Sequence, residues 1–184
     1  MDNKFERMLD EKMEKSNHGQ MTKDEYRYIA SFLGDKTFLV FGTGYDTPLW
    51  RYANNNGKNL FLENIGKWIK HEDTDVIKVT YTTKRSHYKD LLQEYQQGIY
   101  DRLVIDLPQE VFDIKWDCIF VDSPVGTTDK KPGRMQSIYT ASILAKSNTE
   151  IFVHDCDRTV EDVYTKEMFS TFVNELTKLR HVRL

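Results

Sequence analysis

The stretch FLVFGTGYDTPLW, Phe38 to Trp50, joins an apolar strand to a turn with two glycines, an aspartate and a proline. The consecutive apolar residues predict a strand buried on both faces, as in a parallel sheet covered by helices. Gly42 and Gly44 let the backbone turn tightly without Cβ clashes, so that N–H groups could face a ligand. Strand-to-helix turns also use glycine without any ligand. The turn therefore has two open interpretations, chain reversal and ligand binding.

Apolar runs rich in β-forming residues recur along the chain and alternate with polar or helical stretches. We predict strands at 37–41, 59–63, 76–81, 118–122 and 151–154, and helices near 46–54, 64–71, 86–97, 133–147 and 159–167. Thr22 and Glu25 fit a capping box for an earlier helix. The last segment, 169–184, is either one helix or two short strands, and we favour strands. The alternation predicts an α/β, Rossmann-like fold with a mostly parallel sheet and helices on both faces.

Length, charge and composition limit the classes of function. The 184 residues are enough for one domain with a real core, which we expect at 19–184 after a tail or helix at 1–18. A net charge of −3 gives no global case for nucleic acid. Because no apolar stretch approaches a membrane span or a signal core, we expect a cytoplasmic protein without a membrane partner. Cys118 and Cys156 are expected to be reduced thiols.

Polar side chains follow the predicted strands, and doubly wound sheets bind ligands at these strand ends. Glu63 lies 21 residues after Gly42, where a carboxylate can accept hydrogen bonds from both ribose hydroxyls of a nucleoside. A carboxylate that only caps a helix is the alternative. Thr47 stands where a dinucleotide motif would have its third glycine. The pattern thus favours a nucleoside cofactor without pyrophosphate, such as S-adenosylmethionine, whose ammonium group Asp46 could receive.

Asp122, His154 and Asp155 follow the fourth and fifth strands, where an acceptor would face the cofactor. A hydroxyl is a poor nucleophile at neutral pH. The two carboxylates and the imidazole could therefore activate it by holding a divalent cation, or His154 could act as a general base. A structural histidine and a helix-capping aspartate are the alternatives. Arg134 and Arg158, on loops near the same rim, could bind a carboxylate or be solvated.

Six motifs occur in the order and spacing of one known family, namely FLVFGTGYDTPLW, LFLEN, VTYTT, WDCIFVDSPVG, PGRMQSIYTASILA and IFVHDCDRTVE. Over residues 20–184 the chain resembles the polysaccharide-biosynthesis family once called domain of unknown function 579. That family includes glucuronoxylan 4-O-methyltransferases and arabinogalactan glucuronic acid O-methyltransferases. The resemblance implies a class I methyltransferase fold, S-adenosylmethionine as donor and a glucuronic acid hydroxyl of a glycan as acceptor. It is also compatible with a divalent metal.

The motifs and the resemblance together give a set of predicted site residues. The residues expected at the cofactor are Gly42, Gly44, Asp46, Glu63 and Asp122. The residues expected to be catalytic are Asp122, His154 and Asp155. The residues expected to bind the acceptor are Tyr45, Arg134 and Arg158. The residues expected to hold a metal, if one is used, are Asp122 and Asp155.

Two positions depart from the family pattern. Tyr45 stands where plant members usually have histidine, and Val125 where they commonly have a lysine that could orient or deprotonate the acceptor. These changes leave the identity of the base open between His154 and Asp122. They also keep a second hypothesis, a non-catalytic member that binds a glycan or a protein. A nicotinamide-dependent sugar oxidoreductase is the weaker third hypothesis, because the third glycine is missing.

Overall fold

The strands of the computed structural model, which describes residues 2–15 and 21–184, form a seven-stranded sheet. They are β1 (Thr37–Phe41), β2 (Lys58–Glu63), β3 (Val76–Lys78), β4 (Cys118–Val121), β5 (Glu150–Val153), β6 (Phe172–Leu176) and β7 (Leu179–Arg183). The order across the sheet is β3-β2-β1-β4-β5-β7-β6. Neighbours among β1 to β5 pair in parallel, whereas β7 runs antiparallel to β5 and β6. The predicted mostly parallel sheet is confirmed, and so is the pair of strands at its end.

Two helices precede β1, and the other five lie between strands, as the alternating pattern predicts. They are α1 (Asn3–Lys15), α2 (Lys23–Ala30), α3 (Thr47–Ala53), α4 (Tyr88–Gln96), α5 (Gln109–Asp113), α6 (Met135–Leu144) and α7 (Thr159–Met168). The predicted capping box starts α2, because the Thr22 hydroxyl accepts from the Glu25 backbone and the Glu25 carboxylate accepts from the Thr22 backbone. The predicted boundary between residues 18 and 19 lies outside the described residues.

Two predicted elements are shorter than expected. The helix predicted at 64–71 is wrong, because only a 3₁₀ turn, Gly66–Trp68, is present there, and the Ile65 N–H before it donates to the Glu63 carboxylate. The strand predicted at 76–81 ends at Lys78, the partner of the last residue of β2. Beyond that point no β2 residue is left to pair with. Both differences arise from tertiary contacts that local propensity does not contain.

Alternate residues of β1 face opposite sides of the sheet, as the two-residue period of a strand requires. Leu39 and Phe41 pack into one buried cluster with α6 and α7. Phe38 and Val40 pack into the other cluster, which includes residues of α1, α2 and α3. Burial of each such side chain stabilises the fold by about 1.5–3 kcal/mol. The two clusters fix the sheet between helical layers and so hold the strand ends in place.

The structure also bears on the expected membrane and cysteine properties. Within 2–15 and 21–184, no helix combines the length and apolarity that crossing a bilayer demands. Both cysteines are free in this part of the chain, and Cys118 is buried whereas Cys156 is half-buried. Burial raises the pKa of Cys118 to about 12 and that of Cys156 to about 11. Neither thiol is therefore activated as a nucleophile at neutral pH.

Candidate active site

A cavity of about 300 Å³ opens at the carboxyl ends of β1, β2, β4 and β5. The strand order switches direction between β1 and β4, and doubly wound sheets bind ligands at such a switch. The predicted site residues that line this cavity are Gly42, Gly44, Tyr45, Asp46, Glu63, Asp122, Arg134, His154 and Asp155. Arg158 is the one predicted site residue outside its lining. The fold thus brings together residues that span more than a hundred positions of sequence.

In the turn after β1, both the backbone conformation and the close packing of Gly42 require a glycine. Gly42 has φ +115°, and a Cβ there would lie 2.8 Å from the Cβ of Ser123. Its N–H donates to the Leu62 carbonyl at 2.8 Å. The Gly44 N–H donates to the Thr47 hydroxyl at 2.8 Å, so Thr47 stabilises the turn where a third glycine would otherwise stand. Gly42 is required by the fold itself, and the turn it permits forms one wall of the cavity.

Glu63 ends β2 with its carboxylate held by groups of the protein. Oε2 accepts from the Thr43 N–H at 2.7 Å and from the Thr43 hydroxyl at 2.8 Å, and Oε1 accepts from the Ile65 N–H at 2.6 Å. The residue is 2% exposed yet lines the cavity. A carboxylate oxygen can accept two hydrogen bonds. Oε1 therefore keeps acceptor capacity for a ligand hydroxyl, in an orientation fixed by the three protein donors.

Arg134 is the centre of an ionic cluster on the opposite wall of the cavity. Its side chain is almost fully buried, and Nη1 donates to the His154 carbonyl at 2.6 Å. Nη2 lies 3.0 Å from Asp122 Oδ1 and 2.6 Å from Asp155 Oδ2. Asp155 is held in the left-handed region, at φ +64°. Arg134, predicted to bind the acceptor, is thus engaged within the protein and positions the two aspartates.

Asp122 is the member of this cluster that remains accessible. Its side chain is 33% exposed, whereas those of His154 and Asp155 are almost fully buried. Burial alone would raise the pKa of Asp122, but the charges of Arg134 and His154 hold it below its ordinary value. Asp122 is therefore ionised at neutral pH and faces the cavity. It is the group of the cluster that an acceptor could reach.

The ring of His154 lies behind Asp122. Nδ1 is 3.1 Å from Asp122 Oδ1 and 3.6 Å from Asp155 Oδ1. Nε2 has no hydrogen-bond partner among the residues that the structure describes, and the nearest charged atom is Glu25 Oε2 at 4.0 Å. Glu25 belongs to α2, so the ring lies between the cavity wall and that helix. This arrangement suits a histidine that orients Asp122 better than one that contacts an acceptor.

The residues of the predicted metal site have suitable ligand atoms, but arginines already balance the charges of their carboxylates. One ligand atom from each of Asp122, His154 and Asp155 lies within 4.8 Å of the others, and oxygen and imidazole ligands suit several divalent ions. However, Arg134 Nη2 bridges both carboxylates, and Arg158 Nη1 lies 3.0 Å from Asp155 Oδ2. This arrangement does not fit a resident divalent cation. The metal role of Asp122 and Asp155 stays a prediction, and no step below uses one.

Arg158 faces a separate cavity of about 210 Å³, which it lines together with Arg85 and Glu161. Arg158 Nη1 and Arg134 Nη2 nevertheless both contact Asp155 Oδ2, so the shared rim of the two arginines stays a prediction. Arg158 directly precedes α7, which begins at Thr159, and its Nη1 lies 3.0 Å from Asp155 Oδ2. Whether Arg158 contacts an acceptor stays a prediction.

Several cavity residues were not predicted from the sequence. Trp68 and Ile65 line the cavity after β2, and the Tyr45 ring packs edge-on against Trp68 with centroids 5.3 Å apart. Tyr45 is 54% exposed at the cavity mouth. Val125, where the family commonly has lysine, also lines the cavity. An aromatic residue shortly after the β2 carboxylate could have indicated Trp68, but this residue was assigned to the helix expected at 64–71.

Asp46, at the start of α3, is half-buried beside two residues from the N-terminal helices. Burial raises the pKa of its carboxyl, and the nearby charge of Asp122 adds to this effect. The Tyr26 hydroxyl donates to Asp46 Oδ2 at 3.4 Å. Lys12 of α1 places its ammonium 4.3 Å from the centroid of the Tyr26 ring. Lys12 was not predicted, because the weak apolar pattern of α1 gave no reason to place it near the site.

The sheet order, the antiparallel β7 and the polar cavity at the strand ends define a class I S-adenosylmethionine-dependent methyltransferase fold. An O-methyltransferase from Bacillus cereus, solved with S-adenosylhomocysteine, superposes with a TM-score of 0.50 at 12% identity. The match covers 100% of this chain and 92% of that one. At this identity the likeness concerns the fold alone.

The particular family follows from the sequence. The profile of the IRX15/IRX15L/GXM family matches residues 27–182, and the chain belongs to this family. Glucuronoxylan 4-O-methyltransferase 3 of Arabidopsis thaliana is 34% identical over 169 residues, which cover 79% of this chain and 57% of that protein. Protein IRREGULAR XYLEM 15 of Arabidopsis thaliana is 36% identical over 148 residues, 67% of this chain and 46% of that protein. The chain thus spans about half the length of these relatives.

Proposed function

We propose that this chain is an S-adenosylmethionine-dependent O-methyltransferase that acts on a sugar hydroxyl, namely that of a glucuronic acid residue in a glycan. The observation that carries the proposal is one cavity with a buried carboxylate, Glu63, on one wall and an ionised, accessible carboxylate, Asp122, on the other. The relatives named as glucuronoxylan and arabinogalactan methyltransferases support the acceptor class.

The residues of the β1 and β2 ends fit the nucleoside portion of this cofactor. Glu63 Oε1 has acceptor capacity for a ribose hydroxyl, and the glycine turn keeps side chains out of the wall beside it. Ile65 and Trp68 offer apolar surface to a base. Asp46 is suited to the ammonium group of the methionyl portion. When bound, S-adenosylmethionine supplies an electrophilic methyl group on a sulfonium.

Asp122 is the residue that would take the proton from the acceptor hydroxyl. The hydroxyl becomes acidic as its oxygen forms the new bond to carbon, so a carboxylate of low pKa is a sufficient base at that stage. His154 Nδ1 and Arg134 Nη2 hold Asp122 Oδ1, which leaves Oδ2 for the acceptor. His154 and Asp155 then act through Asp122 and do not touch the acceptor. Holding the two reactants in line supplies most of the remaining acceleration.

A non-catalytic binding protein is the second candidate, and a specific observation favours it. Val125 is 43% exposed and lines the cavity at the position where the family commonly has lysine. An acceptor would then have one polar contact fewer than in a protein with lysine at this position. Transfer of methyl groups to any glycan excludes this candidate, whereas cofactor binding alone does not.

The proposed function is tested by methyl transfer from labelled S-adenosylmethionine to glucuronic acid-containing oligosaccharides. We expect 4-O-methylglucuronate or an isomer among the products of the wild-type protein. In parallel reactions without the protein, we expect the oligosaccharides to remain unmethylated. Absence of transfer to xylan-type and arabinogalactan-type oligosaccharides, from a protein that binds S-adenosylhomocysteine, would contradict the acceptor class but not the cofactor.

A further inference from the structure

The cavity of about 210 Å³ at the start of α7, here the second cavity, is lined by polar groups and one aromatic ring. Its lining consists of Arg85, Tyr88, Asp129 and the segment 158–161. Pockets for drug-sized ligands usually measure about 300–1,000 Å³. The second cavity is smaller than these, so it suits a ligand, or a unit of a ligand, with a single ring.

The two arginines of the second cavity have N–H groups that a ligand can use. The side chain of Arg85 is 32% exposed and that of Arg158 is 31% exposed. Arg85 donates through Nε and Nη2 to Asp129, whereas the one ion pair of Arg158 within residues 2–15 and 21–184 joins Nη1 to Asp155. A guanidinium has five N–H donors. Most of the donors of Arg158 are therefore left for a ligand.

Carboxylates balance the positive charge of the second cavity. Asp129 lies 2.7 Å from Arg85 Nη2, and Asp155 lies 3.0 Å from Arg158 Nη1. Glu161 is also part of the lining and adds a third carboxyl group. These described groups leave no excess of positive charge to attract a phosphate or a carboxylate. A neutral ligand with several hydroxyl groups fits this mixture of donors and acceptors, because each hydroxyl both donates and accepts.

The second cavity adjoins the main cavity, the one that contains Glu63 and Asp122, through a shared aspartate. Oδ2 of Asp155 lies 2.6 Å from Arg134 Nη2 and 3.0 Å from Arg158 Nη1. Arg134 and Asp155 line the main cavity, and Arg158 lines the second cavity. A single carboxylate oxygen therefore joins a side chain of one cavity to a side chain of the other.

The loop after β4 is another connection between the two cavities. Val125 lines the main cavity, and the carbonyl of the next residue, Gly126, lies 3.4 Å from Arg85 Nη1. A Cβ on Gly126 would lie 3.1 Å from Glu161 Oε1. The two cavities are thus neighbours, and a chain of sugar units is long enough to occupy both.

We propose that the second cavity binds a neutral sugar unit of the glycan, next to the glucuronic acid residue that is methylated. Arg158 and Arg85 donate to the hydroxyl groups of this unit, and the Tyr88 ring packs against its apolar face. The inference rests on the proposed function, since it assigns a further unit of the same acceptor. Arg158 is an acceptor-binding residue in this account and takes no part in proton transfer.

Calorimetric titration of neutral oligosaccharides of the xylan and arabinogalactan types, which lack glucuronic acid, tests the second cavity directly. With S-adenosylhomocysteine present, we expect one type to bind the wild type. Arg158→Met and Arg85→Gln should each weaken this binding roughly 10-fold or more, because a hydrogen bond from a charged donor is lost. Arg102→Met is the matched control, since Arg102 is an exposed, ion-paired arginine outside the lining of both cavities.

Kinetics with two acceptors provide a second measurement. For an oligosaccharide that contains glucuronic acid, we expect Arg158→Met to raise KM roughly 10-fold with little change in kcat, the pattern of lost ground-state binding. For methyl glucuronoside, a single sugar that cannot occupy both cavities, we expect an unchanged kcat/KM. Wild-type turnover of the oligosaccharide alone would also support the second cavity. An equal loss with both acceptors would show that Arg158 acts through Asp155 and would overturn the inference.

The outcomes separate this inference from the proposed function. Methyl transfer by a wild type that binds no neutral oligosaccharide, or binds it no better than both variants do, would overturn the inference and leave the proposed function standing. Binding that both variants lose, in a protein that transfers no methyl group, would contradict the proposed function and retain the second cavity as a glycan site. If Arg158→Met unfolds at a lower temperature, Arg85→Gln decides, because Arg85 pairs with Asp129 and not with Asp155.

Discussion

In Asp122 the same two neighbours set both the position and the charge of the side chain. Arg134 and His154 both contact Oδ1, so the carboxylate is fixed and its pKa is held low against the effect of burial. The other oxygen is left for the cavity. We expect an ionised Asp122 throughout the neutral pH range, without a metal to keep it so.

We predict that Asp122→Asn lowers kcat by about 10²–10⁴-fold, the usual contribution of a positioned base. Binding of S-adenosylhomocysteine should change far less, because the amide keeps the shape of the side chain. Steady-state kinetics and calorimetry on the same preparation measure the two effects. Asp157→Asn, an exposed position in the loop after β5, is the matched control. Wild-type kcat in Asp122→Asn would contradict the assignment of the base.

Glu161 in α7 is a buried carboxylate whose oxygens both lack a hydrogen-bond partner among the described residues. Burial raises its pKa in the folded protein, although the charge of Arg134 opposes this. Because folding raises the pKa, the protonated acid contributes its full stability below the ordinary pKa of glutamate. This contribution is lost as the pH rises through the pKa of the folded protein. At pH 7 an ionised Glu161 would therefore cost stability.

We predict that Glu161→Gln raises the free energy of unfolding at pH 7 by about 1 kcal/mol or more, and has a smaller effect at pH 4. Urea unfolding at the two pH values measures the difference. Glu167→Gln, on the exposed face of the same helix, should show no such pH dependence. A gain that is equal at both pH values would show that ionisation of Glu161 is not the cause.

The turn from β1 to α3 depends on one glycine. Gly42 combines a positive φ with a Cβ position only 2.8 Å from the Cβ of Ser123. We predict that Gly42→Ala destabilises the protein by about 2 kcal/mol or more, through backbone strain and overpacking. Gly66→Ala is the control, because a Cβ there meets nothing within 4 Å and its φ needs no glycine. Thermal unfolding of both variants measures the contrast, and equal melting temperatures would contradict it.

The helix α1 packs on the sheet through Phe5 and Leu9, which belong to the same buried cluster as Phe38. The sequence pattern allowed only a tail or a frayed helix here, because sparse apolar positions do not show what they pack against. We propose that α1 is part of the methyltransferase unit. On this basis Leu9→Ala should cost about 2–5 kcal/mol of stability, whereas the exposed Arg7→Ala should cost little. Urea unfolding that shows no loss for Leu9→Ala would separate α1 from the core.

The central sheet could be predicted because its strands are locally apolar and regularly spaced. The edge that holds the site followed from the same pattern, since parallel strands collect their carboxyl ends on one side. The contact of Arg158 with Asp155 could not be predicted, because it depends on where α7 begins relative to Asp155. The position of Lys12 depends on how α1 packs against the other elements, and no local sequence pattern reveals this packing.

The ionic cluster also gives an expectation for the intact protein. Arg134 and Arg158 already balance the charges of Asp122 and Asp155. We expect methyl transfer to retain most of its wild-type rate after exhaustive chelation and dialysis. Rates measured with and without added Mg²⁺ or Mn²⁺ provide the check. Loss of transfer on chelation, with recovery on adding one of these ions, would restore the predicted metal site.

We infer that the cavity between Glu63 and Asp122 binds a nucleoside cofactor. Calorimetric titration of S-adenosylhomocysteine into the wild type and Glu63→Gln tests it most directly. We predict a single site in the wild type and roughly 10-fold or greater weakening in the variant, because a hydrogen bond to a charged group is worth about 1.5–3 kcal/mol. No binding to the wild type at millimolar ligand, or identical binding to both proteins, would contradict the account.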